Sequence, residues 1–255
     1  MMLGLRGVRM QFGGLVAVDD FSLDLDEGEL VGLIGPNGAG KTTVFNVITG
    51  VYAPNRGVIT FGETDITGLR PDLVTRLGVA RTFQNIRLFG SMTVLENILV
   101  SLHWRLKSNL LDALLVDKRY RLEEAAMRER AMDLLARVNL DGAADSAAGS
   151  LPYGSQRRLE ICRALATQPR LLLLDEPAAG INPAESLELM RFIESIQRDF
   201  ALTILLIEHQ MRVVMGISHR IVVLDHGVVI SRGTPAEVSR DPRVIEAYLG
   251  VDKHA

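Results

Sequence analysis

The sequence has few cysteines and few aromatic residues. Its 255 residues contain one cysteine, Cys162, and one tryptophan, and aromatic residues make up only 5% of the chain. Because a lone cysteine cannot form an internal disulfide, a disulfide-stabilised secreted scaffold is excluded and a reducing compartment is indicated. The neighbours of Cys162, at 155–167, have the spacing of an amphipathic helix, so we expect a buried thiol rather than a reactive one.

Long apolar runs and an excess of basic charge are also absent. No stretch approaches the roughly 18 to 20 apolar residues that a transmembrane helix needs. Residues 1–14 lack the apolar core and the small-residue cleavage site of a secretion signal. We therefore expect a protein that is soluble by itself and reaches a membrane only through a partner. The formal net charge of −3 argues against nucleic acid as a partner.

The order of apolar patterns along the chain predicts an α/β fold. Residues 2–34 and 57–66 contain short apolar bursts separated by Gly, Asp and Glu, which are typical of β-strands. Later runs such as LLLLD and LTILLIE are continuously apolar, as expected of strands buried on both faces of a parallel sheet. Beyond Leu151 we predict helices at 155–167, 184–199 and 209–216, and strands at 171–175, 202–207, 220–225 and 228–232.

The middle of the chain has a different pattern. From about 93 to 149 it is helical, and the segment RLEEAAMRERAMDLLARVNL repeats apolar residues every three or four positions. The pattern at 107–117 is weak and fits either a loop or a short helix. We therefore predict an α/β core formed by residues 1–92 and 156–255, interrupted by a helical insert at 93–155.

Residues 35–43, GPNGAGKTT, match the phosphate-loop pattern G-x-x-x-x-G-K-[ST]. The motif follows the apolar strand LVGLI and begins a helix, which is the context that such a loop requires. Small residues let successive backbone N–H groups approach phosphate oxygens, and the helix N-terminus favours negative charge. We predict that Lys41 contacts the β- and γ-phosphates and that the Thr42 hydroxyl binds Mg²⁺. The candidate nucleotide-binding residues of this loop are Gly35, Pro36, Asn37, Gly38, Ala39, Gly40, Lys41, Thr42 and Thr43.

Two adjacent acids follow another predicted strand. The segment LLLLDEP at 171–177 puts Asp175 and Glu176 at the carboxyl end of the strand, where open α/β sheets bind their ligands. Carboxylates that leave an apolar run are costly unless they serve a cation or a proton transfer. We predict that Asp175 binds Mg²⁺ and that Glu176 polarises the attacking water. The alternative, a solvated pair at a strand end, is disfavoured by the phosphate loop upstream.

Together with these two motifs, further elements in the same order resemble the ABC transporter ATPase family over essentially the whole chain. LPYGSQRRLEICRAL at 151–165 resembles the family's signature loop and helix, and AAGIN at 178–182 resembles its D-loop. Gln84 in RTFQNIRLF is similar to the Q-loop glutamine. His209 in LLIEHQM is similar to the switch histidine, and Phe12 to the aromatic residue that stacks on adenine.

This resemblance implies a P-loop NTPase fold of the ABC ATPase type. Such a fold has a mainly parallel sheet, an N-terminal antiparallel β subdomain and an inserted helical subdomain that carries the signature loop. The resemblance also implies that the protein hydrolyses ATP with Mg²⁺, that Gln84 senses the Mg²⁺ and the water, and that His209 bonds the γ-phosphate. Two such subunits meet head to tail, so that ATP lies between one phosphate loop and the other signature. Gly154 and Ser155 are the candidate contacts in the signature.

The signature departs from the family's usual L-S-G-G-Q. Pro152 and Tyr153 replace Ser and Gly, Ser155 takes the place of Gln, and Asn182 stands where the D-loop usually has Asp. Because proline has neither a hydroxyl nor a backbone N–H, we expect this signature to complete a weakened site. We therefore expect the chain to pair with a different, related ATPase subunit. A homodimer with two equally slow sites is the alternative.

Within the family, GPNGAGKTTVFNVITG, LDEPAAGINP and the ending VIEAYLG resemble the ATP-binding subunit of branched-chain amino acid importers. That resemblance implies a peripheral protein on the cytoplasmic face of the inner membrane. Its implied partners are transmembrane permease subunits and, indirectly, a periplasmic or extracellular substrate-binding protein.

Three alternatives stay open at this point. One is an ABC transport ATPase for another cargo, such as lipopolysaccharide. The second is a soluble ABC-type ATPase, which usually has two cassettes or a long coiled-coil arm. The third is a GTP-binding switch, which carries an N-K-x-D motif. The sequence contains none of these features, which disfavours the last two classes.

Overall fold

The structure, a computed structural model, describes residues 1–103 and 118–249. The weakly patterned segment 107–117 lies outside these residues. The chain forms two compact units, one from residues 1–84 together with the chain from Arg170 onward, and the other from the described residues between 85 and 169. The second unit begins before the predicted insert of 93–155 and ends after it.

Elements are labelled in chain order. The strands, all in the first unit, are β1 (Leu3–Phe12), β2 (Leu15–Leu25), β3 (Leu30–Ile34), β4 (Arg56–Phe61), β5 (Thr64–Asp65), β6 (Val79–Arg81), β7 (Leu171–Asp175), β8 (Thr203–Ile207), β9 (Arg220–Asp225) and β10 (Val228–Gly233). The helices of the first unit are α1 (Lys41–Ile48), α2 (Pro71–Leu77), α6 (Pro183–Asp199), α7 (Met211–Ile217), α8 (Pro235–Val238) and α9 (Pro242–Leu249). The second unit contains α3 (Val94–Leu102), α4 (Lys118–Arg137) and α5 (Tyr153–Ala166).

The strands form two sheets. One is antiparallel with the order β2–β1–β4–β5. The other has the order β10–β9–β3–β8–β7–β6, and its neighbours are parallel except for the β10–β9 pair. Every residue of β7 and β8 is buried, as their continuous apolar runs predict. The α/β fold with a mainly parallel sheet and an N-terminal antiparallel sheet is therefore confirmed.

The main core of the first unit joins both sheets to α1. Phe21 of β2, Phe45 of α1, Leu33 of β3 and Leu173 of β7 belong to one continuous cluster of buried side chains. Such a close-packed interior transmits strain and permits little local movement. The segment between β3 and α1, which carries the phosphate-loop motif, is thus held between two elements of the core.

One helix begins later than the sequence predicts. The predicted helix 209–216 starts at Met211, so that His209 and Gln210 lie in the connection after β8. The short strand β6 carries no periodic pattern and was not predicted, because three residues are too few for one to appear. Both differences affect segments that lie beside the acid pair.

The second unit is helical. The N-terminus of α3 is stabilised by a capping box between Thr93 and Glu96. In α5 the thiol of Cys162 is completely buried, as expected, and burial raises its pKa to about 12. Among the residues that the structure describes, no helix is both long and apolar enough to cross a membrane.

Candidate active site

The phosphate loop is shaped by its packing against neighbouring backbone. A Cβ atom at Gly35 would collide with the carbonyl oxygen of Leu224 in β9, and one at Gly40 would collide with that of Ala17 in β2. Both glycines also have positive φ values, 151° and 103°, which side chains disfavour. Gly35 and Gly40 are therefore required by the fold of this chain itself.

The Lys41 side chain lies across the loop. Its ammonium group donates hydrogen bonds to the carbonyl oxygens of Gly35 at 2.7 Å and Pro36 at 2.9 Å. Burial lowers the pKa of Lys41, and the nearby carboxylates of Glu176 and Asp175 oppose that effect. A buried cation beside a helix N-terminus is a strong attractor for phosphate.

A cavity of about 420 Å³ lies over the loop. This volume is within the range of small-molecule sites. Most of the phosphate loop, the aromatic Phe12 and Glu176 of the acid pair line this cavity, whereas Asp175 does not. The full lining is Phe12, Leu15, Val16, Ala17, Asn37, Gly38, Ala39, Gly40, Lys41, Thr42, Thr43, Glu176 and His226. The structure thus brings these predicted binding residues together around one space.

Two residues near this cavity were not predicted. The ring of Tyr52 contacts the ring of Phe12 edge to face, with centroids 5.1 Å apart, and so supports the exposed aromatic ring of Phe12. His226 lies in the turn between β9 and β10, whose Gly227 N–H donates to the Ala39 carbonyl oxygen. The sequence pattern gives no indication of either contact, because both join segments that are distant along the chain.

Asp175 forms a buried ion pair. Its Oδ2 accepts a hydrogen bond from Nη2 of Arg81 at 2.7 Å, and both side chains are less than 10% exposed. Nη1 of Arg81 donates to the Asn46 side chain of α1 at 2.6 Å. Arg81 therefore neutralises a carboxylate whose burial would otherwise be costly. Sequence reasoning missed Arg81, since it lies 94 positions from Asp175.

Glu176 meets two other predicted catalytic residues. Its Oε2 accepts a hydrogen bond from Nε2 of Gln84 at 2.7 Å and lies 3.5 Å from Nδ1 of His209. The backbone of Glu176 has a φ of 46°, a conformation that costs about 1–3 kcal/mol and persists only where the surroundings enforce it. Such strain is typical of active sites.

The last helix of the first unit contacts the start of the phosphate loop. Val244 of α9 packs in a buried cluster with Ile34, the last residue of β3. Tyr248 of the same helix is hydrogen-bonded to the backbone of Gly35, and burial raises the pKa of the Tyr248 hydroxyl. The C-terminal helix therefore supports the first glycine of the motif, which the sequence did not indicate.

The predicted signature contacts belong to the second unit. Pro152 is the N-cap of α5 and provides no side-chain hydrogen bond, and Tyr153 is exposed. No described atom lies within 4 Å of a Cβ built on Gly154, and Ser155 is half-buried in the first turn of the helix. Among the described residues, nothing covers Gly154 at the N-terminus of α5 or requires a glycine there.

The unusual D-loop residue has a local structural role. The Asn182 side chain is the N-cap of α6 and accepts hydrogen bonds from the backbone N–H groups of Ala184 and Glu185, both at 3.0 Å. Asn and Asp cap helices about equally well. The replacement therefore keeps the cap of α6.

A metal site made of protein side chains alone is not found in the described part of the chain. No group of three or more His, Cys, Asp and Glu side chains in residues 1–103 and 118–249 is arranged to hold an ion. The predicted donors Thr42, Asp175 and Gln84 offer oxygen atoms, which suit Mg²⁺. Because Mg²⁺ is commonly held by one or two protein groups plus substrate phosphates, this donor set fits that ion.

Comparison with known proteins gives a consistent result. Residues 18–179 match the family model described as ABC transporter, and residues 228–254 match that of the branched-chain amino acid ATP-binding cassette transporter. The chain is 50% identical to the high-affinity branched-chain amino acid transport ATP-binding protein LivG of Salmonella typhimurium, over 98% of each chain. It is 47% identical to the corresponding protein BraF of Pseudomonas aeruginosa, again over 98% of each.

A solved structure has the same fold. The chain superposes on the ADP conformation of an ATP-binding cassette of an ABC transporter with a TM-score of 0.85 and 31% sequence identity. The match covers 98% of both chains. The similarity therefore extends over both compact units rather than the phosphate loop alone.

Proposed function

The chain belongs to the ABC transporter family, and we propose that it is the ATP-hydrolysing subunit of an importer of branched-chain amino acids. The observation that carries the proposal is the meeting of Gln84 and His209 on one oxygen of Glu176, beside the cavity above the phosphate loop. The names of the LivG and BraF relatives and the match at 228–254 support the cargo.

In this proposal each part of the site has a separate task. The phosphate loop and Lys41 bind the β- and γ-phosphates, and the supported ring of Phe12 stacks on adenine. Glu176 polarises the attacking water, while Gln84 and His209 orient the water and the γ-phosphate. Gln84 is hydrogen-bonded to Glu176, and Nδ1 of His209 lies 3.5 Å from the same carboxylate oxygen, so the three side chains are already close together.

We assign the Mg²⁺ site to Thr42, Asp175 and Gln84. When bound, the ion neutralises charge that develops on the phosphates. The Thr42 side chain is exposed at the cavity. The ion pair with Arg81 fixes the orientation of the Asp175 carboxylate.

The proposed partners are transmembrane permease subunits and a second, related ATPase subunit, with a substrate-binding protein acting outside the membrane. The chain would then lie on the cytoplasmic face of the inner membrane. The open N-terminus of α5 at Gly154 and Ser155 supports a contact with ATP held by the other subunit. The exposed side chains of Phe89 and Met92 support a permease contact in the segment 84–92.

The test is leucine-dependent ATP turnover by the transporter assembled from this chain, its permeases and its binding protein. Glu176→Gln should reduce turnover at this site by roughly 10²-fold or more while ATP still binds, because the water loses its polarising carboxylate. The matched control is Glu194→Gln, since Glu194 is exposed on α6. Near-normal turnover in Glu176→Gln would refute the catalytic assignment, and stimulation only by amino acids other than leucine, isoleucine and valine would refute the cargo.

A further inference from the structure

Glu208 carries a buried carboxylate that has no role in the function proposed above. This residue lies between β8 and α7, and its side chain is completely buried. Within residues 1–103 and 118–249, no lysine or arginine pairs with it. A buried charge without a cationic partner is costly unless hydrogen bonds satisfy it.

Three backbone N–H groups satisfy the carboxylate. Oε1 accepts a hydrogen bond from the Ala178 N–H at 2.6 Å. Oε2 accepts from the N–H groups of His209 at 3.1 Å and Gln210 at 3.3 Å. Burial raises the pKa of Glu208, and these N–H donors oppose that effect because they favour the ionised form.

Gln210 forms a second link between the same two segments. Its Nε2 donates to the Ala178 carbonyl oxygen at 2.7 Å, and its Oε1 accepts from the Ser186 hydroxyl at 3.3 Å. Both backbone groups of Ala178 are therefore held by the segment that follows β8. We call the side chains of Glu208 and Gln210, with their bonds to Ala178, the 208/210 clamp.

The clamp joins the two segments that carry the catalytic groups. Ala178 follows Glu176 by two residues, and Glu208 immediately precedes His209. The strained backbone at Glu176 is also bonded to the strand before the clamp, since its N–H donates to the Ile207 carbonyl oxygen at 2.9 Å. A small shift of one segment relative to the other would be enough to change the 3.5 Å separation of Glu176 Oε2 and His209 Nδ1.

We propose that Glu208 and Gln210 are positioning residues that fix His209 relative to Glu176 for the hydrolysis step. The proposal rests on the ATPase function given above. Ala178, Glu208 and Gln210 are not among the residues that line the cavity, so we expect the clamp to act on the rate of hydrolysis rather than on ATP affinity. Positioning of this kind affects rate strongly, because small misplacements of catalytic groups are costly.

Two variants separate the parts of the clamp. Glu208→Gln is nearly isosteric but places an amide N–H₂ group opposite backbone N–H donors, so at least one of the three bonds is lost. Gln210→Ala removes the bond to the Ala178 carbonyl and keeps Glu208 intact, so it remains decisive if the first variant does not fold. The control is Glu29→Gln, which alters a carboxylate that is bonded to Arg220.

The measurements are ATP affinity and turnover in the assembled transporter, and amide hydrogen exchange of the full chain. We expect ATP affinity within about twofold of wild type, and turnover at saturating ATP lower by about tenfold or more in Glu208→Gln and about threefold in Gln210→Ala. Exchange should rise in 176–182 as well as in 208–214, although both substitutions lie in the second segment, and Glu29→Gln should change neither segment.

Two outcomes would overturn the proposal. One is unchanged turnover, or turnover that falls only in proportion to ATP affinity. The other is faster exchange confined to the mutated segment. If the wild-type transporter itself fails to hydrolyse ATP, the proposed function is wrong, and the exchange of the two segments still decides whether the clamp exists.

Discussion

The phosphate loop and the signature segment both present a helix N-terminus, but they are built in opposite ways. At Gly35 and Gly40 any side chain would collide with backbone of the same unit, and Lys41 is buried against the loop. At Gly154 there is open space, and Pro152 leaves the helix without a side-chain cap. The glycines of the phosphate loop are thus required by the fold of this chain, whereas no described atom requires the glycine of the signature.

The largest effect should come from the phosphate loop. Lys41→Ala removes a cation that faces two phosphates, and each charge-assisted hydrogen bond contributes about 1.5–3 kcal/mol. We expect ATP affinity to fall by at least about tenfold, with turnover falling in parallel and the fold retained. Calorimetric titration with MgATP measures this, and Lys41→Arg serves as the charge-retaining control. Unchanged affinity in the alanine variant would show that the loop does not bind phosphate through Lys41.

A smaller effect of opposite sign should come from the signature. Pro152→Ser restores a hydroxyl and a backbone N–H, and one neutral hydrogen bond contributes about 0.5–1.5 kcal/mol. Turnover of the assembled transporter should rise by up to about tenfold, mainly at the partner's phosphate loop. The measurement uses Glu176→Gln as background, so that this chain's own site is silent. An unchanged rate in that background would mean that the departure from the usual signature has no catalytic consequence.

The aromatic platform should matter less than the phosphate contacts. Phe12→Ala removes one stacking contact, which is worth on the order of 1 kcal/mol, so ATP should bind about fivefold more weakly. Because Tyr52 supports the Phe12 ring, Tyr52→Leu should produce part of this loss. Titration of both variants with ATP and with inorganic triphosphate separates adenine from phosphate contacts. Equal losses for the two ligands would contradict stacking.

The smallest effect should come from the C-terminal helix. Tyr248→Phe removes the hydrogen bond to the Gly35 backbone and keeps the ring. A hydrogen bond of this kind is worth about 0.5–1.5 kcal/mol, and since Tyr248 acts on ATP only through the loop, ATP affinity should fall by about two- to threefold. The exposed residue Ile245 of the same helix provides the control, as Ile245→Val. If both variants bind ATP like the wild type, the helix does not support the loop.

The sequence predicted the elements that carry strong local patterns. The continuous apolar runs of β3, β7 and β8 and the glycines of the phosphate loop are local features, and the strands were found almost to the residue. The start of α7 was misplaced because the N–H groups of His209 and Gln210 are bonded to the Glu208 carboxylate. No periodic pattern records that contact.

The unpredicted parts of the site are contacts between distant segments. Arg81 reaches Asp175 across two parallel strands, and Tyr248 reaches Gly35 from the far end of the chain. Such pairs depend on the order of strands in the sheet, which a single sequence does not specify. Motif reasoning therefore predicted the residues expected to contact the nucleotide, whereas the residues that hold those groups in place became visible only in the fold.

The most direct test of this contrast compares two glycine substitutions in the purified chain. Gly40→Ala and Gly154→Ala are assayed for thermal stability and for MgATP affinity by calorimetry. We expect Gly40→Ala to lose most ATP affinity, because its side chain collides with the Ala17 carbonyl oxygen, while Gly154→Ala has the stability and affinity of the wild type. This expectation would be contradicted if Gly154→Ala impaired ATP binding by the isolated chain as strongly as Gly40→Ala.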